Sequence, residues 1–306
     1  GEAGLFPRRR FWKAARLAAA TGRGAVGRIQ RVWGLPMVWK ELRSAGARRR
    51  RRFIVASIFL LLVLLATYAL CAADNAMDDQ EVHVVYSLVF LGLGVLGTTA
   101  VAGAALVGEK ESRTMPLLMV TNISEGQVVL GKAVGALRRS LPYWAPWVLH
   151  LGLFMLAGYI RLEAWWHVGA IVGYLTVFLI GSGLYFGSCF RRTTTAVVMN
   201  LALVIALWGV LPVLIFSAVL GLDMDDDAAE RYLSSTPWAQ TIVVMLEDSG
   251  DHNVGKAASK LRYWWPDGSA SLEETNARLL LAAVAYSGIG LVLCWRASRR
   301  LRRNLF

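Results

Sequence analysis

Polar and apolar positions along this chain fall into long separate blocks. Six blocks hold no Asp, Glu, Lys or Arg: 53–73, 82–108, 140–160, 164–190, 193–222 and 279–295, of 21, 27, 21, 27, 30 and 17 residues. A helix that crosses a bilayer needs about 17–25 apolar residues. The pattern therefore predicts an all-α polytopic membrane protein with six transmembrane helices. Two shorter patterns add to this. Leu35, Val38, Trp39 and Leu42 recur at i, i+3, i+4 and i+7, with Lys40, Glu41 and Arg43 opposite, which is one apolar helix face suited to a membrane interface. From Pro237-Trp238 to Leu246 the chain carries no charge over ten residues, too few to span and suited to a re-entrant or interfacial helix, with Trp264-Trp265-Pro266 anchoring its return.

Charge orients the blocks. Residues 1–52 carry a net +13, 74–81 a net −4, Glu109 to Arg139 a net +2, Arg191-Arg192 +2, 223–276 a net −7 and the tail from Arg296 a net +5. Lys and Arg accumulate on the cytoplasmic side. Six spans with both termini cytoplasmic satisfy every segment, whereas five would put the two arginine-rich ends on opposite faces. The chain then divides into a basic N-terminal segment 1–52 with an interfacial elbow helix, a six-helix transmembrane domain 53–295 and a basic tail 296–306. Within the domain, 108–132 is a cytoplasmic segment and 223–276 an external one. Trp144, Trp147, Trp165, Trp166 and Trp295 sit near span ends, where an amphipathic ring suits the interface, while mid-span Trp208 points to helix packing. After Arg8-Arg9-Arg10 the first apolar stretch is broken by Lys13 and Arg16, so no signal-peptide core is expected. The arginines at 48–52 read as an anchor on anionic lipid, and no base-stacking aromatics or recognition motif point to nucleic acid.

Composition agrees. The chain of 306 residues is 56% hydrophobic and 18% charged, with a formal net charge of +12, against about 25% charge in soluble domains. A soluble enzyme, a disordered chain and a secreted disulfide scaffold are excluded. The three cysteines, Cys71, Cys189 and Cys294, are scattered and odd in number, and read as small apolar fillers.

Motifs for chemistry fail on inspection. Gly126 to Ala133 approaches a phosphate-binding loop, but Ala133 stands where Ser or Thr must ligate magnesium, and no strand precedes it. Ser124 and Gln127 instead form a capping box that starts a helix near Glu125. The acidic run Asp223 to Asp227 has Ala228 and Ser234 where a calcium loop needs Gly and Glu, and reads as a solvated loop. The four histidines lack zinc spacing, and no nucleophile elbow is present. His150, near the middle of the third span, reads as a neutral imidazole bonded to a neighbouring helix. Spans without carboxylates or cations disfavour an ion-coupled carrier. Gly183 and Gly187 in the fourth span, and Thr99, Gly103 and Val107 in the second, form small faces for close helix approach, either within one chain or between subunits.

Between the second and third spans stand Glu109, Lys110, Glu111, Thr114, Leu117, Leu118, Thr121, Ser124, Gly131 and Lys132. This segment resembles the signature of membrane subunits of type-2 ATP-binding-cassette exporters. Trp39 to Arg43 similarly resembles that family's elbow before the first span. Departures are Arg113 where Gly is common, Pro116 where an acid is common, and Asn122 where Pro is common. The resemblance implies a short helix parallel to the membrane that docks on a separate ATPase. Leu117 and Leu118 would supply its apolar contact, Glu109, Glu111 and Arg113 its register, and Thr114 its cap. It also implies that the second and fifth spans face a dimer axis, where Thr98, Thr99 and Asn200 are the polar groups of a pathway or dimer face; helix bonding within the chain is the alternative.

The expected function is that of an exporter permease subunit, with no catalytic residues, no metal and no cofactor of its own, because ATP is bound by the partner. Its expected partners are the ATPase, a second permease copy or a paralogue, and the lipid bilayer, with no nucleic acid. The expected location is a bacterial cytoplasmic (inner) membrane. The competing readings are a membrane assembly or regulatory protein that transports nothing, and a secondary carrier.

Overall fold

A computed structural model describes residues 35–43, 47–77, 79–112, 123–160, 162, 164–222, 232–248 and 272–301. Among these residues the regular structure is helical. The elements are α1 (Pro36–Arg43), α2 (Ala47–Ala73), α3 (Gln80–Glu111), α4 (Glu125–Leu156), α5 (Ala164–Cys189), α6 (Thr193–Ile205), a π-helical turn (Ala206–Val210), α7 (Leu211–Leu222), α8 (Pro237–Asp248) and α9 (Leu272–Leu301). Four described stretches are long and apolar enough to cross a membrane: Glu81–Glu111, Ala164–Cys189, Thr193–Val219 and Asn276–Leu301. At about 1.5 Å per residue, each exceeds the roughly 30 Å hydrocarbon core. The chain is a multi-pass helical membrane protein.

Helix ends follow local chemistry. The Ser124 side chain accepts a hydrogen bond from the Gln127 amide at 3.4 Å, and α4 starts at Glu125. From there α4 runs 32 residues without a break, through Lys132, Arg138 and Arg139 and past Pro142 and Pro146. The sequence divides this stretch into a cytoplasmic segment and a separate span; the structure makes it one helix that carries both prolines within it and turns off only at Gly158. There the chain turns left-handed (φ 85°), the Tyr159 amide reaches Phe154 O at 2.9 Å and the Gly158 amide reaches Met155 O at 3.0 Å, which caps the last carbonyls. The π-helical turn precedes Pro212, which has no amide hydrogen for an α-helical bond, so the ladder loosens one turn upstream.

Packing centres on α3 and α5. α3 contacts α4, α5, α6 and α8, and α5 contacts α9, α3, α6, α4 and α8. Missing side chains make these approaches feasible. A Cβ on Gly183 would stand 2.5 Å from the Ala102 Cβ, and one on Gly103 would stand 2.9 Å from the Val197 Cα. The small faces of the second and fourth predicted spans therefore meet each other inside one chain. Gly94 lies under the Trp144 ring and Gly97 under the Tyr143 ring. Trp144 and Trp147 are accordingly buried in the core, not placed at an interface. The Trp144 ring lies on Gly94 of α3 and Trp147 stacks beside it at 6.3 Å, so protein covers both rings where an interfacial ring would be open. Trp165, Trp166 and Trp295 remain exposed.

One apolar cluster joins Phe90, Trp147, Ile171, Tyr174, Leu179 and Trp208. A second, holding Met37, Leu106, Val128, Leu184, Ala297 and Leu301, sits where α3, α5 and α9 end and α4 begins. The charged junction described next surrounds that second cluster.

Candidate functional site

Successive residues of an α-helix point about 100° apart. At the end of α3 this geometry sends Glu109, Lys110 and Glu111 toward three different elements. Glu109 Oε1 accepts from Lys132 Nζ of α4 at 2.8 Å and from Lys40 Nζ of α1 at 3.3 Å. Lys110 Nζ donates to the carbonyls of Gly187 and Ser188 at 2.8 Å each and of Phe190 at 3.3 Å. Its charge thus sits on the carbonyl end of α5, where the helix leaves acceptors without partners and the dipole is negative. Glu111 accepts from the Thr193 amide at 2.7 Å and from Thr193 Oγ1 at 2.8 Å. This supplies the N-terminal cap of α6, whose own N-cap residue, Arg192, makes no side-chain cap bond.

α1 joins through Glu41. Lys132 Nζ donates to Glu41 Oε1 at 2.6 Å, and Arg139 Nη2 to Glu41 Oε2 at 3.1 Å. The Lys132 and Glu41 side chains are each only 5% exposed, so both charges are desolvated and each depends on the other. Gly131 and Gly135 make room for this. A Cβ on Gly131 would lie 2.7 Å from the Met37 Cβ, and one on Gly135 would lie 2.7 Å from Glu41 Oε2. The face that α1 presses on α4 is therefore Met37 and Glu41, one turn apart. Leu35, Val38 and Trp39 are half-buried and Leu42 is exposed, so the predicted apolar stripe lies beside the packed face. Glu41, expected on the polar side, is buried because Lys132 and Arg139 offer it two cations. Arg43 stacks over the Trp39 ring at 4.9 Å.

Glu109 and Glu111 are thus engaged within the chain. Arg113, Thr114, Leu117 and Leu118 lie outside the described residues. What the structure brings together are the residues that flank 113–122: α1, α3, α4, α5 and α6 meet there through charged side chains. Sequence reasoning missed Glu41, Lys110, Lys132, Arg139 and Thr193 as mutual partners. The available signal was the alternating acid, base, acid triplet closing a long apolar run.

Deeper in the bundle, Asn200 of α6 is fully buried. Its Oδ1 accepts from Ser182 Oγ at 2.7 Å and its Nδ2 donates to Thr99 O at 3.2 Å. Thr99 Oγ1 donates to Val95 O at 2.7 Å, and Thr98 is buried on the same helix. Asn200 and the Thr99 carbonyl thus meet between α3, α5 and α6 of one chain. His150 Nδ1 and the Tyr68 hydroxyl of α2 are 2.7 Å apart, the cross-helix bond expected for that imidazole. Trp208 packs in the core and donates to the Tyr286 hydroxyl at 3.0 Å.

At the opposite end α8 occupies the stretch where a short helix was expected. Tyr174 donates to Gln240 Oε1 at 2.6 Å, and Tyr232 donates to the carbonyl of Leu207 in the π-helical turn. Burial pushes the Tyr232 phenol up to about 12. Trp264 to Pro266, the acidic run 223–227 and His252 lie outside the described residues. Among the described residues, no group of three or more His, Cys, Asp or Glu side chains is placed to hold a metal. The three cysteines are unbridged and half-buried.

No family model matches the chain, and no curated protein matches it.

Proposed function

We propose that this chain is the permease subunit of a type-2 ATP-binding-cassette exporter. In this reading six helices span a bacterial cytoplasmic membrane with both termini inside, α1 is the interfacial elbow, and two permease copies or paralogues pair. A separate ATPase binds and hydrolyses ATP, and the chain itself catalyses nothing. The observation that carries the reading is the junction at Glu109, Lys110 and Glu111. A segment that receives a push must be anchored to what it moves. Here the described residues on either side of 113–122 are tied to α1 and to the ends of α4, α5 and α6, so a displacement at this point would reach five helices together. The remaining support is the resemblance of 109–132 and 39–43 to the family's coupling and elbow segments.

The test is association with an ATPase. Leu117→Asp or Leu118→Asp would place an unpaired carboxylate in a desolvated groove. Losing a buried leucine contact and burying a charge each cost a few kcal/mol, so binding weakens at least about a hundredfold. Membrane insertion stays normal, because these residues lie outside the spans. An intact, active complex carrying Leu117→Asp rejects the assignment. A reporter after Phe306 reads cytoplasmic and one near Asp226 external; an external tail rejects six spans.

A further inference from the structure

An apolar cavity of about 180 Å³ lies between the π-helical turn and α8, lined by Trp208, Pro212, Leu233, Thr236, Ala239 and Ile242 among others. It is half open to its surroundings, and its lining is almost wholly apolar. The Trp208 indole N–H is spent on the Tyr286 hydroxyl, and Thr236 Oγ1 donates to Leu233 O at 2.7 Å. A buried water needs two to four polar partners, and apolar cavities of about 150 Å³ stay dry and take up benzene. By that measure this cavity accepts a run of about six or seven chain carbons. The medium beside it is hydrocarbon: Val213 and Leu214, directly after Pro212, are 64% and 59% exposed on a helix apolar enough to cross the membrane.

We propose that this cavity binds one acyl chain of a membrane phospholipid, seated against the π-helical turn by α8. The loosened turn supplies the hollow, since Pro212 interrupts the helix there, and the small side chain of Ala239 leaves it open. The proposal needs only that the chain lies in a bilayer, and holds whether or not an ATPase docks on it.

The test uses the full-length chain in nanodiscs containing a phospholipid with a photoactivatable diazirine on one acyl tail. After irradiation, adducts are located by mass spectrometry. Adducts on 233–243 should saturate as the labelled fraction rises. Ala239→Phe, which fills the cavity, should lower them at least about tenfold, while adducts at Leu280 and Leu281, exposed on α9, stay constant. Ile242→Trp, which narrows the half-exposed rim without overfilling the core, should do the same. Adducts on 233–243 that never saturate, or that survive in either folded variant, overturn the proposal.

Discussion

α5 and the α6–α7 unit follow one another in the chain, and both are long enough to cross a membrane. Their mean hydropathies are 1.8 and 2.5, yet 67% of the apolar window of α5 is buried in the bundle against 11% for α6–α7. The more apolar helix is the less buried one. In water this would be perverse, but lipid tails are as apolar as leucine and exert no hydrophobic drive between helices. What selects the centre of the bundle is close approach. α5 carries Gly181, Gly183 and Gly187, set against Gly290 of α9 and against Ala102 and Leu106 of α3. The α6–α7 unit offers only a thin stripe inward, Ala196, Asn200, Val204 and Trp208 at steps of four, and turns Val198, Ile205, Val213, Leu214 and Phe216 outward.

Five substitutions would break or sharpen this contrast. Gly183→Leu has the largest effect. Its Cβ alone would come within 2.7 Å of the Ala102 backbone carbonyl carbon. Overpacking typically costs about 1–3 kcal/mol and more when backbones must part. Folded, monodisperse protein should be lost in detergent chromatography; recovery at wild-type yield would mean that the α3–α5 contact is not close. Next comes Lys132→Ala, which takes from Glu41 and Glu109 their shared buried cation and leaves Arg139 and Lys40 beside them. Removing one partner of a buried pair costs about 3–5 kcal/mol. The exposed members of this network temper the loss, so a fall in melting temperature larger than that of Lys40→Ala is the readout. If the two variants melt alike, Lys132 does not hold α1.

Asn200→Ala should cost less. Hydrogen bonds between membrane helices average about 0.6 kcal/mol in double-mutant cycles. A cycle of Asn200→Ala with Ser182→Ala should return a coupling of that size, and zero coupling would remove α6 from the polar centre. The smallest effect belongs to Leu214→Ala, 59% exposed toward lipid, with a change within about 0.5 kcal/mol in the same melts. A larger loss would show that α7 is covered by protein. Glu111→Gln tests how the two helices are joined. Faster amide exchange at Thr193 to Thr195, with the α5 end unchanged, is expected, because Glu111 caps α6 alone while Lys110 holds α5. Equal loosening of both ends would refute that division.

Much of this was legible along the chain. Apolar runs give the four long helices, Ser124 marks where α4 begins, and the uncharged run after Pro237 marks α8. These are local facts: a cap, a turn or a run of about twenty apolar residues acts wherever it stands. The continuity of α4 from the segment that starts near Glu125 into the apolar block 140–160 was not legible, because Lys132, Arg138 and Arg139 interrupt the apolar pattern between them. In the fold Lys132 and Arg139 have carboxylate partners on other elements.

The sequence by itself determined which segments are helical and which belong in lipid, because backbone satisfaction and hydropathy depend on near neighbours only. Tertiary structure alone decided that Glu41 is buried, that Glu109, Lys110 and Glu111 each serve different helices, that Trp144 and Tyr143 fill the hollows over Gly94 and Gly97, and that α5 is central. Each of those outcomes depends on which residue of a distant helix stands opposite. Among helices bathed in hydrocarbon, that is settled by steric fit and charge pairing and not by how apolar any one of them is.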